Sequence, residues 1–192
     1  MSKIYLVRHG DTALNQTHRI RGQKDVSLTP QGYRKARQVA REIAAEADKP
    51  TTVFSCDLKR ATETAAEITK ATGAKHVVIK DLRPWDLGDL QGESESKARS
   101  QVMTFINHPD KLVPGGEPYK MFLTRFYRGL KQVMDTASKN GATVAMIVHG
   151  STARATLALF HESTAFAKQD PTEPGDVMEL ESAGGLWRLS KS

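Results

Sequence analysis

The stretch ATVAMIVHG, residues 142–150, carries the strongest strand signal in the chain. Residues 142–148 form a continuous apolar run, which is typical of a central strand that helices cover on both faces. The run ends directly before His149 and Gly150, so an imidazole follows a buried strand. This stretch predicts an α/β fold in which strand ends carry the functional groups.

Strand and helix patterns alternate around this stretch. Short apolar runs at residues 3–7, 51–55 and 76–80 predict three further strands. The first long helix begins with Thr29 as N-cap and Pro30 in its first turn, and extends to residue 47. We therefore expect a sheet whose strands are joined by helices.

Two more helices are predicted beside the strand ends. Residues 57–73 form the first, with Asp57 as N-cap and Gly73 as its end. Residues 151–160 form the second, directly after the central strand. Both helices begin where a strand has just ended, so their N-termini belong to the same edge of the sheet.

The remaining segments complete one domain. Residues 92–140 form a mostly helical excursion, interrupted by the proline- and glycine-rich segment at 107–118. Residues 175–180 and 184–190 predict a closing hairpin. The pattern predicts a single domain over residues 1–192: an α/β three-layer sandwich, with a mostly parallel central sheet and helices on both faces.

The composition is that of a soluble domain. The chain has 192 residues, of which 39% are hydrophobic and 26% are charged, enough for one buried core. No segment has the length and apolarity of a membrane span, and the first residues lack the apolar segment of a signal peptide. The single cysteine, Cys56, excludes an internal disulfide. We predict a cytoplasmic protein with no membrane partner, and the net charge of +6 favours anionic ligands.

Three separate segments deliver polar groups to the carboxyl ends of predicted strands. They contain Arg8, His9 and Gly10 after the first strand, Arg60 near the start of the helix after the second, and His149 and Gly150 after the fourth. Ligands of open α/β sheets collect outside these ends, so we expect the three segments to meet. Guanidinium and backbone N–H groups bind phosphate oxygens, which favours an anion in this site.

A metal site fits these residues less well. It would combine His9 and His149 with Asp11 or Asp86, but the neighbouring arginines would repel a divalent cation. We therefore predict no metal. The other histidines lack this context and are predicted to be surface or structural residues: His18, His76, His108 and His161.

Other nucleophiles are excluded by spacing. Cys56 and Arg60 are too close together for a cysteine phosphatase loop, and HGSTA at 149–153 lacks the second glycine of a serine nucleophile elbow. No G-x-x-x-x-G-K-[ST] phosphate-binding loop occurs. The nucleophile that remains is a histidine.

Five segments carry motifs that occur together in one known family. RHGDTALN at 8–15 matches R-H-G-x-T-x-x-N, and SCDLKRATETA at 55–65 is similar to S-S-x-L-x-R-A-x-x-T-A. Segments 19–36, 114–118 and 144–155 are similar to an R-x-Q-G-x-x-D-x-P-L-T-x-x-G segment, a G-G-E-S loop and a second-histidine strand. In this order the five segments resemble the histidine phosphatase superfamily, the phosphoglycerate-mutase-like phosphatases.

The resemblance implies a phosphoglycerate-mutase-like fold and a phosphoryl transfer that needs no metal or organic cofactor. It makes His9 the nucleophile, with Arg8, Arg60 and His149 as a clamp around the phosphoryl group. It also implies that phosphate is held by Asn15, Gly22, Gln23 and Gly150. The expected partner is a small phosphorylated substrate, with phosphate or sulfate binding in the same pocket. A phosphohistidine would form and water would hydrolyse it.

One position departs from the family pattern. The family commonly has a glutamate general acid four residues before a glycine, and Pro84 stands there in LRPWDLGDLQG. Asp86 is the replacement candidate, with Asp89 and Glu93 behind it. With Asp86 as proton donor we predict an acidic or mildly acidic rate optimum, since the nearby arginines favour its charged form. Its alternative role is to fix the turn before Gly88.

The leaving group is less constrained by the sequence. The chain length favours a phosphatase over a phosphoglycerate-mutase-type phosphotransferase, which holds two phosphate positions and usually needs larger inserts. Four basic residues either line the mouth of the site or are solvated: Arg19, Arg21, Lys24 and Arg83. Trp85 and Tyr119 either stack on the leaving group or pack in the core.

Two functions from other classes are weighed against the enzyme. Pro84 at the place of the acid would suit a catalytically weak phosphate- or phosphoprotein-binding module. The net charge would suit nucleic acid, but the basic residues are scattered among acidic ones and no aromatic-basic platform occurs. We therefore predict no nucleic-acid partner. Exposed apolar positions within residues 92–140 would allow a homodimer.

Overall fold

The computed structural model describes residues 1–160 and 173–191. Within these ranges six strands form one sheet: β1 (Ser2–Arg8), β2 (Thr52–Ser55), β3 (Lys75–Val78), β4 (Thr143–Val148), β5 (Val177–Ala183) and β6 (Leu186–Lys191). Their order is β3-β2-β4-β1-β5-β6. The first four strands in this order are parallel, whereas β5 is antiparallel to β1 and β6 is antiparallel to β5. The predicted mostly parallel sheet and closing hairpin are confirmed.

In the part of the chain that the structure describes, six α-helices surround the sheet: α1 (Ala13–Gln16), α2 (Pro30–Ala45), α3 (Lys59–Thr72), α4 (Glu95–Asn107), α5 (Tyr119–Asn140) and α6 (Gly150–Phe160). The predicted cap of α2 is confirmed, because Thr29 Oγ1 accepts a hydrogen bond from the N–H of Gly32 at 3.0 Å. The predicted end of α3 is also confirmed, since Gly73 adopts a left-handed conformation with φ of 75°. None of the described helices has the length and apolarity needed to span a membrane.

Helices lie on both faces of the sheet. The crossovers that contain α2 and α3 move from β1 toward the β3 edge, and the crossover from β3 to β4 moves back. Because such crossovers are right-handed, α2 and α3 pack on one face, and α5 packs against β1 and β4 from the other. The predicted three-layer sandwich is confirmed.

The two central strands are buried along their length. Every residue from 144 to 148 in β4 is at most 1% exposed, and Ile4, Leu6 and Val7 in β1 are fully buried. A continuous apolar strand between two helical layers explains this burial. The ends of β1 and β4 are therefore rigid supports for the residues that follow them.

The predicted N-cap of α3 is wrong. The helix begins at Lys59, and its cap position is Leu58, which provides no side-chain hydrogen bond. The carboxylate of Asp57 instead accepts two hydrogen bonds from Arg83, at 2.6 and 2.7 Å. A bidentate charged pair is stronger than a cap bond, and Asp25 Oδ1 accepts from the backbone N–H of Lys59 at 2.7 Å in its place.

The third strand and the excursion differ slightly from their predicted bounds. β3 ends at Val78, and a 3-10 turn over Lys80–Leu82 follows it. A second 3-10 turn, Gly88–Leu90, precedes α4. Residues 92–140, the predicted helical excursion, contain α4 and α5, which are joined by the proline- and glycine-rich segment.

Candidate active site

The two histidines at the strand ends lie side by side. β1 and β4 are parallel neighbours, with Arg8 opposite Val148, so His9 and His149 follow at the same level. Their ring centroids are 5.0 Å apart, and both residues are at most 2% exposed. The backbone N–H of His9 donates to the carbonyl of Val148 at 3.2 Å, which couples the two strand ends.

Arg60 joins these histidines from the first turn of α3. It is 1% exposed, and its Nε–H donates to His149 Nδ1 at 3.3 Å. Its Nη1 and Nη2 donate to the carbonyls of Lys24 and Gly22 at 2.7 and 2.8 Å. The guanidinium therefore connects the loop after α1 to the end of the central strand.

The surroundings of His9 select one tautomer. His9 Nδ1 lies 2.8 Å from the carbonyl oxygen of Gly10, and a carbonyl can only accept a hydrogen bond. Nδ1 must therefore carry the proton, which leaves the Nε2 lone pair available. Gly10 is required here, because a Cβ at this position would lie 2.5 Å from the carbonyl oxygen of Gly32.

His149 is held in the opposite tautomer. Since Arg60 Nε–H donates to Nδ1, neutral His149 carries its proton on Nε2. That nitrogen lies 3.2 Å from the sulfur of Cys56, which is fully buried. Burial raises the pKa of the Cys56 thiol to about 11, so the sulfur is uncharged and accepts the hydrogen bond.

Burial and positive charge keep both imidazoles neutral. The pKa of His9 is lowered well below 6.5 by burial, and then by the charges of Arg60, Arg21 and Arg8. The pKa of His149 is lowered by burial first and then by Arg60. An anion would relieve the repulsion among these cations. The site thus combines two neutral imidazoles with a positive field.

A cavity of about 590 Å³ opens over these residues. One part of its wall, named here the histidine wall, consists of His9, Arg60, His149, Gly150 and Ser151. Gly150 and Ser151 begin α6, so that helix directs its positive N-terminal end at this wall. Arg21 and Gly22 also line the cavity, which places a second guanidinium beside the histidine wall.

Several predicted phosphate ligands lie elsewhere. Asn15 Oδ1 accepts from the N–H and the hydroxyl of Thr12, at 3.1 and 2.7 Å, and so caps α1. The side chain of Gln23 donates to the carbonyl of Pro84 at 3.1 Å and accepts from Arg83 at 3.2 Å. Asn15, Gln23 and Arg8 do not line the cavity, although Arg8 still contributes to the lowered pKa of His9.

Asp86 lies where it fixes the turn before Gly88, the alternative role given for it above. Its Oδ1 accepts a hydrogen bond from the N–H of Gly88 at 3.1 Å, and it does not line the cavity. The preceding loop is held by Arg125, which donates to the carbonyl of Pro84 at 2.7 Å and pairs with Glu117. Among the described residues that line the cavity, Glu95 at the start of α4 is the one with a carboxylate.

The predicted basic and aromatic residues divide between cavity and core. Of the four basic residues, Arg21 lines the cavity, whereas Arg83 pairs with Asp57 at 2.6 Å. Trp85 touches the cavity but is 2% exposed and donates from Nε1 to the carbonyl of Glu117 at 3.0 Å. Its ring centroid lies 4.8 Å from that of Tyr119, so both rings pack in the core.

The histidines outside the motifs differ in their distance from the cavity and in their exposure. His18 is exposed and lines the cavity, which the sequence pattern did not indicate. His76 Nε2 lies 2.8 Å from the hydroxyl of Ser55, a structural contact, and His108 follows α4 on the surface. His161 lies outside the described residues.

Sequence reasoning missed the part of the cavity formed by α4. The residues concerned are Glu95, Arg99, Val102, Met103 and Ile106, together with Arg154 on α6. The α4 residues belong to no motif, and their one signal is the spacing of three, four and seven residues that places them on one helical face, whereas Arg154 lies within the motif segment 144–155. That spacing indicates a shared face but does not indicate what the face covers.

The sequence profile of the histidine phosphatase superfamily (branch 1) matches residues 4–192. The phosphoglycerate mutase-like protein 4 of Arabidopsis thaliana is 34% identical over 160 residues, which cover 80% of this chain and 68% of the relative. The metal-independent phosphoserine phosphatase of Arabidopsis thaliana is 34% identical over 164 residues, which cover 81% and 67%. The chain belongs to the histidine phosphatase superfamily.

Solved structures confirm the fold. Bacillus stearothermophilus YhfR superposes with a TM-score of 0.83 at 23% identity, covering 100% of this chain and 96% of that one. A phosphoglycerate mutase from Bacillus anthracis superposes with a TM-score of 0.83 at 21% identity, covering 100% and 92%. The predicted phosphoglycerate-mutase-like fold is confirmed, and with its family the chain is a phosphatase that acts through histidine.

Proposed function

We propose that this protein hydrolyses phosphomonoesters through a phosphohistidine on His9 Nε2. The observation that carries the proposal is the Nδ1 contact of His9 with the Gly10 carbonyl at 2.8 Å, which leaves Nε2 unprotonated in a cationic site. Nε2 forms a bond to phosphorus while the bond from phosphorus to the leaving oxygen breaks, and that oxygen takes up a proton. Water then attacks phosphorus, the N–P bond breaks, and its electron pair returns to Nε2 as phosphate leaves.

The charges around His9 stabilise both steps. Arg60 and Arg21 place guanidinium groups beside the transferring phosphoryl group, and the N-terminus of α6 adds backbone donors. The imidazole of His149 is uncharged at neutral pH, because its pKa is lowered well below 6.5. The phosphoryl oxygens therefore meet fixed positive groups before and after the transfer, without a metal ion.

Glu95 replaces Asp86 as the proposed proton donor. Glu95 lines the cavity, and its Oε1 lies 3.7 Å from Nη1 of Arg21, a residue that acts on His9. The carboxylate of Asp86 instead accepts a hydrogen bond from the backbone N–H of Gly88 within its own turn. After giving its proton to the leaving oxygen, the carboxylate of Glu95 accepts one from the water that attacks the phosphohistidine.

Leaving-group dependence tests this assignment. In Glu95→Gln we expect hydrolysis of alkyl phosphates to slow by about 10²-fold, whereas aryl phosphates, whose phenolate departs more readily, slow much less. Asp86→Asn is the matched control and keeps the wild-type ratio of the two rates. The assignment is wrong if Asp86→Asn shows the selective loss and Glu95→Gln does not.

Hydrolysis of p-nitrophenyl phosphate across pH, with a chelator present, tests the proposed function. We expect turnover that the chelator does not reduce. Lowering the pKa of a base preserves its neutral form at lower pH, so the acid limb of kcat/KM lies well below pH 6.5. Stopped-flow or steady-state absorbance measures the rate at each pH.

Other outcomes of this assay identify the alternatives. No turnover at any pH, in protein that still binds inorganic phosphate, means a phosphate-binding module. Transfer of the phosphoryl group to an added hydroxy acid in preference to water means a phosphotransferase of the mutase type. Loss of turnover in the chelator, restored by a divalent metal, overturns the metal-free mechanism.

We extend the proposal to the setting of the enzyme. It acts as one domain on a small phosphorylated substrate in the cytoplasm, and phosphate or sulfate binds against the histidine wall. The buried free thiol of Cys56 supports a reducing compartment. A homodimer would use exposed apolar side chains within residues 92–140, such as Leu112 and Met121.

A further inference from the structure

The cavity is much larger than one phosphate group. Its volume is about 590 Å³, within the range of pockets that enclose whole small molecules. The histidine wall and Arg21 account for the phosphoryl group. The rest of the cavity must therefore hold the leaving group, and the residues that line it indicate the chemical character of that group.

One side of this remaining space is apolar. Val102, Met103 and Ile106 lie on α4 at spacings of one, three and four residues and line the cavity together. Leu87 and Ile20 contribute further apolar surface. The three α4 side chains are half-buried, so in the empty enzyme they present apolar surface to water. Those hydroxyl groups of a sugar that faced this apolar side would have no hydrogen-bond partners on it.

A cation lies next to this apolar surface. Arg99 precedes Val102 and Met103 by three and four residues, which places it one turn away on the same face of α4. Arg99 is exposed, and it lines the cavity at the opposite end of that face from Ile106. A guanidinium at this place suits a carboxylate or a second phosphate on the leaving group.

We infer that the natural substrate is a phosphomonoester whose leaving group combines an apolar, preferably aromatic, body with a second anionic group bound by Arg99. The inference rests on the proposed phosphatase activity and specifies its substrate class. The apolar body packs on Val102, Met103 and Ile106, and the second anion lies one helical turn away. Small polar phosphoesters such as sugar phosphates are then poor substrates.

A matched pair of substrates tests the second anion. Phenyl phosphate and 3-(4-phosphonooxyphenyl)propionate share the ring and the scissile bond and differ in one carboxylate. We expect kcat/KM for the carboxylate-bearing ester to be higher by about tenfold, the effect of one charge-assisted hydrogen bond. In Arg99→Ala the ratio falls toward one. Lys97→Ala, an exposed cation on α4 that does not line the cavity, keeps the ratio.

A second pair tests the apolar wall. With 1-naphthyl and phenyl phosphate we expect KM to be lower for the naphthyl ester by about five- to tenfold, because its additional ring buries more apolar surface. Met103→Gln, similar in length but polar, reduces this difference. Equal KM values in the wild type would contradict the apolar contact.

The outcomes separate this inference from the proposed function. Hydrolysis of phenyl phosphate with no preference for either the carboxylate or the naphthyl ester overturns the substrate class and leaves the phosphatase intact. If Arg99→Ala and Lys97→Ala lose the carboxylate preference equally, the preference arises from the overall positive charge of this surface and not from a direct contact with Arg99. Failure to hydrolyse any of the three esters overturns the proposed function itself.

Discussion

In the His9→Ala variant, kcat for phosphate ester hydrolysis falls by at least about 10⁴-fold, as expected when a covalent nucleophile is removed. In the proposed mechanism His9 supplies the lone pair that forms the N–P bond. His149, the other buried imidazole in the site, has its Nδ1 engaged by Arg60 and its Nε2 protonated toward Cys56. Rapid-quench measurement of both turnover and an acid-labile phosphoenzyme checks the loss.

His76→Ala and His9→Asn are the controls for this variant. His76 is a half-buried histidine whose Nε2 contacts the Ser55 hydroxyl outside the cavity, so its removal leaves turnover near the wild-type rate. His9→Asn fills more of the buried space than alanine and separates a folding defect from the loss of chemistry. Residual phosphoenzyme of wild-type yield in His9→Asn would contradict the role of His9.

Replacement of Arg60 by lysine has the second-largest expected effect, a decrease in kcat/KM of about 10²- to 10³-fold. Lysine keeps the positive charge but cannot reproduce a planar group that donates at once to His149, Lys24 and Gly22. The loop at 21–25 and the tautomer of His149 both lose their support. Steady-state kinetics with p-nitrophenyl phosphate measures the change.

Arg83→Lys is the matched control for Arg60. Arg83 also forms a bidentate contact, with Asp57, but its side chain is 36% exposed and does not line the cavity. We expect only a small change in rate, because a partly exposed pair contributes little. A rate loss in Arg83→Lys equal to that in Arg60→Lys would show that loop support, rather than contact with the phosphoryl group, determines the effect.

The sheet and the approach of the residues at its strand ends were predictable because their signals are local and short. A continuous apolar run specifies a strand such as β4, and the residue after a parallel strand must lie at its carboxyl edge. The proximity of His9 and His149 could therefore be predicted from the sequence alone. Arg60 followed, since it occupies the first turn of the next helix at the same edge.

Polar side chains in loops were the less predictable part. Asp57 was expected to cap α3, yet it pairs with Arg83, 26 residues away in sequence. The side chain of Gln23 donates to the carbonyl of Pro84, and Oδ1 of Asp86, the predicted proton donor, accepts from the N–H of Gly88. Each such group has several partners of similar strength, and small differences in distance decide among them.

The sequence by itself determined the order of the elements, the family and the three strand ends that form the histidine wall, since these depend on periodicity and motif. The tertiary structure alone decided which tautomers His9 and His149 adopt, which arginines join Arg60 in the cavity, and that α4 lines the rest of it. Those features depend on contacts between residues far apart in the chain. Local pattern indicates which face of a helix is apolar, but packing determines what that face meets.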